Sequence, residues 1–473
     1  MDERAAQLAA PPPFRRFRRR NLAELCLWLR GAEIGVFLAC GLAASAALGS
    51  GELPTEGAIV AAAVATLVAL EVLRLSAVQG QGAPSHRPSI ALCEVGVVTA
   101  AATVSLALHH APMGALLRWD ASFAISSYLA LTLLRTGFAE RLRRMLGGGR
   151  LAVNVAVFGN GAAAAKTIAR LQTSDPRLIA VVGRYANGSD SGPAPVRGGS
   201  RTLLSDCRLR IVDAVVLAME EEGEFRRVRQ ILRGCVQDIY LAAELVEFAG
   251  PGARAAALGP APLFLLSERP LKGWTKYTKV ALDQAAALLL LILLAPLIAI
   301  IAAAIKLDSP GPVLFRQLRV GYNGQLFWIL KFRSMYHHEA DRLAKQQTVF
   351  ADPRVTRVGR LIRRLSIDEL PQLINVLRGD MSLVGPRPHA PGTSVGGQRV
   401  HQLLDDYDCR HRVRPGITGL AQVRGYRGGL HTVLQASDRL ESDLEYIRRA
   451  SFWLDLNILF LTFFREIRSG RGL

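Results

Sequence analysis

The N-terminal third of the chain alternates between apolar and arginine-rich segments. Four apolar stretches occupy residues 34–48, 58–78, 90–110 and 122–138. Each approaches the roughly 20 residues that a membrane-spanning helix needs. Arginines precede the set and follow it, at Arg15–Arg30 and Arg141–Arg150. Because cytosolic flanks are enriched in Lys and Arg, the pattern predicts a four-helix transmembrane bundle over 31–145, after a basic cytosolic arm over 1–30.

From residue 151 the pattern changes to short β-rich runs separated by helical ones. Strands are predicted at 153–158, 178–182 and 211–217, with a helix at 162–171. This alternation of strands and helices is typical of a parallel sheet and predicts a Rossmann-like α/β domain over 151–260. Gly159-Asn160-Gly161 resembles a dinucleotide-binding turn, but Gly183-Arg184-Tyr185 stands where an acid would bind the ribose. We therefore expect an accessory domain whose glycines serve packing, and its ligand stays open.

A further apolar run over 284–305 contains Pro296 near its centre. Basic residues stand on both sides of it, with Lys279 before and Lys306 after. A spanning helix should show charge asymmetry, so we expect a re-entrant helix over 280–306 that breaks at Pro296. A fifth spanning helix with a proline kink is the alternative.

Composition supports a membrane protein with basic cytosolic surfaces. The 473 residues are 50% hydrophobic, yet 58 Lys and Arg against 39 Asp and Glu leave a net charge of +19. Beside long apolar runs, this charge favours anionic lipids and phosphate-bearing substrates as partners, and we expect no nucleic-acid partner. The 6 cysteines are widely spaced, which excludes a disulfide framework and a zinc knuckle.

Candidate chemistry is concentrated after residue 312. Two β-rich runs around Asn323-Gly324 predict a hairpin that ends in a basic segment with Lys331 and Arg333. Further on, a single helical face would carry a basic stripe suited to phosphate; its members are Arg357, Arg360, Arg363 and Arg364. The sequence from Ser366 to Glu369 reads as a helix capping box that places Asp368 in the first turn of a helix. Such a carboxylate could form a covalent phosphoryl intermediate.

Three motifs resemble one known family. They are the run over 352–388, which begins at Asp352-Pro353-Arg354 and ends at Pro386-Arg387-Pro388, the KFRSM segment at 331–335, and PGITGLAQVRGYRG at 415–428. Their order and spacing resemble the bacterial sugar transferases, the monotopic polyprenyl-phosphate phosphoglycosyltransferases. The resemblance covers roughly the last 200 residues. Four spans and a Rossmann-like domain before this unit are the arrangement of the large family members.

The resemblance implies a role for each matching residue. Asp368 would be the nucleophile that receives the sugar phosphate and expels UMP, and Glu369 would assist it. Both would hold Mg²⁺, with Mn²⁺ as an alternative. Six basic residues are predicted to bind substrate or phosphate: Lys331, Arg333, Arg354, Arg360, Arg363 and Arg387. The opening of the re-entrant helix matches at Lys279 and Asp283 and departs at Val280 and Ala295.

The expected fold is therefore a transmembrane bundle, a Rossmann-like domain and a mixed α/β catalytic domain over 271–473 with re-entrant and interfacial helices. The expected reaction transfers a hexose-1-phosphate from a UDP-sugar to undecaprenyl phosphate, at the first membrane step of exopolysaccharide, capsule or O-antigen synthesis. The tail around 425–428 favours glucose-1-phosphate. We expect a homodimer among lipids of the bacterial inner membrane, with the catalytic domain on the cytosolic face. A membrane-bound nucleotide-sugar epimerase or dehydratase and a non-catalytic assembly scaffold are the alternatives.

Overall fold

The structure, a computed structural model, contains two compact units. It describes residues 22–47, 88–108, 112–148, 151–188, 195–250, 253–271, 273–337, 352–426, 428–430 and 432–469. The described residues up to 152, together with 176–178, form a helical unit. The other described residues form an α/β unit.

The helical unit contains three described helices: α1 (Leu22–Ala47), α2 (Pro88–Leu108) and α3 (Met113–Gly147). They cover three of the four apolar stretches, and the stretch over 58–78 lies outside the described residues. Phe37, Trp119 and Phe123 are fully buried between the helices. Within the described ranges, the only single straight helix long and apolar enough to cross a membrane is Leu29–Ala47. The four-span bundle therefore stays a prediction.

A buried charge cluster interrupts the apolar faces of the helical unit. Arg135 on α3 donates from Nε to Glu33 Oε1 at 2.7 Å and from Nη2 to Glu94 Oε2 at 2.5 Å. Arg30 also pairs with Glu33 at 2.9 Å. Buried charges need such partners, because an isolated charge is expensive to remove from water. The cluster joins α1, α2 and α3, and it lowers the hydropathy of each helix.

The accessory part of the α/β unit is a seven-stranded sheet of order β3-β2-β1-β4-β5-β7-β6. Strands β1 to β5 pair in parallel and β6 and β7 are antiparallel. The strands are β1 (Val153–Phe158), β2 (Ile179–Tyr185), β3 (Val196–Gly198), β4 (Ala214–Leu217), β5 (Asp238–Ala242), β6 (Arg254–Leu258) and β7 (Ala261–Ser267). The helices are α4 (Gly161–Gln172), α5 (Ser200–Arg208) and α6 (Glu222–Leu232). The predicted Rossmann-like sheet is confirmed.

The part predicted to be catalytic begins with two apolar helices that meet at a sharp bend. Helix α7 (Gly273–Leu293) and helix α8 (Ala295–Asp308) form an angle of 63° across Leu294. Pro296 lies in the first turn of α8, where its missing N–H removes no helical hydrogen bond. The predicted break is present, two residues before Pro296.

A predicted hairpin follows, with β8 (Leu314–Val320) and β9 (Leu326–Phe332) paired antiparallel. The remaining strands are β10 (Ser382–Val384), β11 (Ser394–Val395), β12 (Gln398–Arg399) and β13 (Gly416–Thr418). The remaining helices are α9 (Arg357–Arg364), α10 (Gln372–Arg378), α11 (Val400–Leu403), α12 (Leu420–Val423), α13 (Val433–Arg449) and α14 (Phe452–Ser469). One core joins β9, α10, β10, α13 and α14 around Phe327, Leu373 and Tyr446.

Candidate active site

Asp368 and Glu369 lie in a short 3₁₀ turn, Ile367–Glu369, between α9 and α10. The predicted capping box at Ser366 is wrong. Ser366 adopts a left-handed conformation with φ 55°, and its side chain caps no N–H. Helix α10 begins later, at Gln372, directly after Pro371. The two carboxylates therefore project from a tight reversal of the chain.

Glu369 is held by two cations. Lys331 Nζ donates to Oε1 at 2.8 Å, and Arg387 binds both oxygens, with Nη1 donating to Oε2 at 3.1 Å and Nη2 to Oε1 at 2.5 Å. Burial opposes ionisation, but Arg387 and Lys331 outweigh it and lower the pKa of Glu369 well below its usual value. Glu369 is therefore a permanently charged anchor for these two side chains.

Asp368 has a different environment from its neighbour. Its side chain is 13% exposed, and Lys331 Nζ is 4.0 Å from Oδ2. In the part of the chain that the structure describes, its carboxylate accepts no side-chain hydrogen bond. Burial raises the pKa of Asp368, Lys331 and Arg363 oppose that effect, and the charge of Glu369 adds to it. The result is a weakly solvated carboxylate with an unoccupied oxygen, which suits a nucleophile.

Buried polar contacts position the two cations. Asn375, fully buried on α10, accepts from Leu330 N at 2.9 Å and donates to Trp328 O at 2.8 Å, so it fixes the strand that carries Lys331. The Arg387 backbone carbonyl accepts from Arg410 Nη2 at 2.7 Å.

Two glycines allow close approach of the segment that leads to Arg387. A Cβ on Gly416 would lie 2.1 Å from the backbone N of Gly385, so neither strand end tolerates a side chain at this crossing. The glycines of the two C-terminal motifs thus serve to bring β10 and β13 together.

The predicted phosphate-binding residues divide into two groups. Lys331, Arg363 and Arg387 surround the carboxylates. Arg333 does not reach them, because its guanidinium donates to the carbonyls of Ile305, Ser309 and Pro310 at the end of α8.

Arg354 and Arg360 belong to the second group as well. Arg354 forms a two-point pair with Asp352, from Nε to Oδ1 at 2.9 Å and from Nη2 to Oδ2 at 2.6 Å. Arg360 lies on the exposed face of α9, one turn before Arg363. Phosphate binding by Arg333, Arg354 and Arg360 stays a prediction.

The sequence did not predict a buried basic cluster that lies beside Arg387. It contains Arg319, Arg410 and Arg439, which come from three distant segments. Arg410 pairs with Asp443 at 2.8 Å, whereas Arg439 is 4% exposed and, among the described residues, its Nε and Nη2 have no hydrogen-bond partner. Burial, followed by Arg410 and Arg387, lowers the pKa of Arg439 to about 10. It is therefore still charged at neutral pH.

A small cleft lies next to this cluster, and Arg387, His389, Arg410 and His411 are among its lining residues. Burial and the charge of Arg410 lower the pKa of His389 well below its usual value, so this imidazole is neutral. Four arginines, 319, 387, 410 and 439, act electrostatically on one another here, against the three carboxylates of Asp368, Glu369 and Asp443. An excess of buried positive charge with unpartnered N–H groups is suited to a multivalent anion.

The glycine turn of the accessory domain is contacted by an acid as well as by the buried Arg184. A Cβ on Gly159 would lie 2.0 Å from the carbonyl oxygen of Ala218, so this glycine serves the close approach of two strand ends. Glu220 Oε1 lies 3.4 Å from Ala163 N, at the first turn of α4. An acid therefore stands where a phosphate would bind a helix N-terminus.

Comparison with known sequence families gives two matches. Residues 274–469 match the family described as bacterial sugar transferase. Residues 86–243 match the family described as CoA-binding domain. At the glycine turn, the Glu220 carboxylate would face the diphosphate of CoA.

Similar proteins come from several bacteria. The chain is 47% identical over 324 residues to the undecaprenyl-phosphate glucose phosphotransferase of Komagataeibacter xylinus, over 68% of this chain and 60% of that one. It is 38% identical over 314 residues to the UDP-glucose:undecaprenyl-phosphate glucose-1-phosphate transferase of Escherichia coli (strain K12), over 66% of this chain and 67% of that one.

A shorter relative matches a smaller share of the chain. The exopolysaccharide production protein PSS of Rhizobium leguminosarum bv. phaseoli is 47% identical over 194 residues, which are 41% of this chain and 97% of that one. The match therefore spans almost all of a short relative and about three fifths of the Komagataeibacter protein.

Proposed function

Because the chain belongs to the bacterial sugar transferase family, we propose that it moves glucose-1-phosphate from UDP-glucose to undecaprenyl phosphate and releases UMP. The observation that carries this proposal is the contrast between two adjacent carboxylates. Glu369 is bound at both oxygens by cations, whereas Asp368, among the described residues, accepts no side-chain hydrogen bond and has Lys331 4.0 Å away. The names of the relatives support the choice of glucose and of the lipid.

The donor diphosphate is proposed to bind in the cleft beside Arg387. There the excess charge of the buried basic cluster, Arg319, Arg410 and Arg439, offsets the charge of the diphosphate. Arg439 is buried and, among the described residues, its Nε and Nη2 have no partner, so little reorganisation is needed when the donor binds. The arrangement also lowers the repulsion between the donor and an anionic nucleophile.

The reaction proceeds in two displacements. An oxygen of Asp368 attacks the phosphorus that bears the sugar, a new O–P bond forms, and the bond to UMP breaks with its electron pair leaving on the UMP oxygen. The phosphate oxygen of undecaprenyl phosphate then attacks the same phosphorus, and Asp368 leaves as a carboxylate. Glu369 takes no part in bond making, and it keeps Lys331 and Arg387 against the reacting phosphate.

Mg²⁺ fits this site through Asp368 rather than through Glu369. Both oxygens of Glu369 are occupied by Lys331 and Arg387, whereas an oxygen of Asp368 is available. Mg²⁺ commonly takes one or two carboxylates and completes its shell with substrate phosphates and water. When bound, the ion would neutralise charge on the diphosphate, and Mn²⁺ would serve in the same way.

The acceptor is proposed to reach the site from the membrane. The bent pair α7 and α8 presents exposed apolar side chains, among them Leu289, Ile292 and Ile300 at 58%, 64% and 67% exposure. Helix α14 exposes Trp453 at 74% and Phe463 at 62%. We propose that the bent pair re-enters the bilayer from the cytosolic face of the inner membrane, that α14 lies at its surface, and that the N-terminal unit forms four spans.

The test is a labelled-donor assay on the full chain in detergent micelles with UDP-glucose carrying ³²P in its β-phosphate. We expect labelled undecaprenyl product and UMP with the native chain, and a labelled protein when the acceptor is omitted. Asp368→Asn should abolish labelling and lower turnover at least about thousandfold, because no other carboxylate can form the intermediate. Exposed Glu441→Gln on α13 is the matched control and should retain turnover.

Two results would contradict the proposal. UMP release that persists in Asp368→Asn would remove the nucleophile assignment. No release from any UDP-sugar by the native chain would favour a non-catalytic assembly scaffold instead.

A further inference from the structure

The turn of the β8–β9 hairpin enters the accessory domain. Asn323, at the tip, has φ 59° and is 2% exposed. Its Nδ2 donates to the carbonyls of Cys207 at 3.1 Å and Arg208 at 3.4 Å, and its Oδ1 accepts from Val236 N at 3.4 Å. Asparagine is among the few residues that adopt this left-handed conformation readily. The tip is therefore shaped for this contact.

The contact satisfies the end of a helix. The last carbonyls of a helix have no partner within the helix, and α5 ends at Arg208. Asn323 reaches the Arg208 carbonyl, and Gln325 Nε2 donates to the same oxygen at 2.7 Å. The Arg210 guanidinium lies 5.6 Å from the ring centre of Tyr322. The catalytic part thus supplies the C-terminal cap of an accessory-domain helix.

A second catalytic segment, residues 405–412, packs on the same domain. Asp405 accepts from Gln230 at 2.9 Å, and Asp406 pairs with Arg233 at 2.9 Å. A Cβ on Gly234 would lie 2.9 Å from the Asp408 side chain, so the two backbones are closely packed. We call the accessory residues Cys207, Arg208, Gln230, Arg233, Gly234 and Val236 the docking face.

Both docked segments reach the active site at their other ends. Strand β9 runs from the docked turn to Lys331, which binds Glu369. The segment 405–412 contains Arg410, whose Nη2 binds the carbonyl of Arg387, the other partner of Glu369. The positions of both cations are thus tied to elements that rest on the docking face.

We propose that the docking face is a positioning surface for the active site: by holding the hairpin turn and residues 405–412 it sets the places of Lys331 and Arg387. Its residues are positioning residues, since none of them contacts Asp368 or Glu369. The inference rests on the proposed glucose-1-phosphate transfer. It gives the accessory domain a role that needs no ligand at the glycine turn.

The test is a charge exchange across the docking face. Arg233→Asp in the full chain would oppose Asp406, and the double variant Arg233→Asp, Asp406→Arg would restore the pair with its polarity reversed. Arg170→Asp is the matched control, because Arg170 forms a half-exposed pair with Glu244 inside the accessory domain. We expect Arg233→Asp to lower kcat about tenfold, because small displacements of catalytic groups are costly in rate. KM for UDP-glucose should change less than about threefold.

The double variant should recover kcat to within about threefold of native, and Arg170→Asp should match native. Asn323→Gly, which keeps the left-handed turn and removes the three Asn323 hydrogen bonds to the docking face, should lower kcat in the same way as Arg233→Asp. The inference is overturned if Arg233→Asp and Asn323→Gly fold and turn over like native. It is also overturned if the double variant folds but does not recover. Failure of the proposed function appears differently, as absence of turnover in the native chain.

Discussion

Two turns in this molecule resemble phosphate sites in sequence, and the structure gives them different charged neighbours. The glycine turn after β1 has an acid, Glu220, at the first turn of the helix that follows. The turn that carries Asp368 is surrounded by Lys331, Arg363 and Arg387. Loop geometry alone does not distinguish them. The comparison teaches that the charge brought in from distant segments decides whether such a turn can receive a phosphate.

The largest effect is expected at Arg387. Arg387→Gln leaves the charge of Glu369 without its two-point partner, and we expect kcat to fall about thousandfold. Arg387→Lys keeps the positive charge but loses the planar fork, and we expect a fall of about thirtyfold. Steady-state kinetics together with thermal unfolding would measure both. A lysine variant as active as the native chain would show that charge alone matters at this turn.

The next largest effect is expected on the free energy of unfolding, through the glycine turn of the accessory domain. Gly159→Ala would place Cβ 2.0 Å from a backbone carbonyl oxygen at φ 148°, and we expect a loss of about 3 kcal/mol in the free energy of unfolding. Gly161→Ala, with φ 82° and the nearest atom at 3.4 Å, should lose about 1 kcal/mol. Denaturant unfolding of the full chain would compare them. Equal losses would contradict the packing role of Gly159.

A change at Lys331 should move the pH dependence of the reaction. Asp368 must be deprotonated to attack, so turnover is lost as pH falls through its pKa, which burial already raises above the usual value. Lys331→Met removes a charge that lowers this pKa, so the acidic limb of kcat should move to higher pH, and kcat at neutral pH should fall about tenfold. Lys331→Arg should keep the limb in place. If the acidic limb of the pH dependence of kcat does not move in Lys331→Met, this limb does not report the pKa of Asp368.

The smallest effect on turnover is expected at Glu220. Glu220→Gln removes the acid from the first turn of α4. Turnover should stay within about twofold of native, because Glu220 has no proposed role in the reaction at Asp368 and Glu369. The thermal shift produced by CoA should be larger in the variant than in the native chain, because the helix N-terminus then favours an anion. A native chain that CoA stabilises as strongly as the variant would contradict the charge argument.

Local patterns predicted the elements well, and long-range contacts determined the site. The hairpin, the helix over Arg357–Arg364 and the parallel strands follow from periodicity and turn residues near one another in sequence. The capping box failed because Pro371 sets the start of α10, five residues beyond Ser366.

Arg439 and Glu220 acquire their roles only by folding. Arg439 lies 52 residues after Arg387 in the chain, and nothing in the local sequence distinguishes it from a surface arginine. Likewise Glu220 comes 59 residues after Gly161, yet its carboxylate lies against the glycine turn. Spacing within a motif carries no information about such partners.

The cap that Asn323 and Gln325 supply to α5 also determines when the accessory domain can finish folding during translation. As the ribosome extends the chain, Arg208 emerges 115 residues before Asn323 and 117 before Gln325. Until then, water must solvate that helix end, and the nascent accessory domain is incomplete at one surface. The accessory domain therefore completes this surface only after the hairpin has been translated, so the accessory domain and the catalytic part finish folding together.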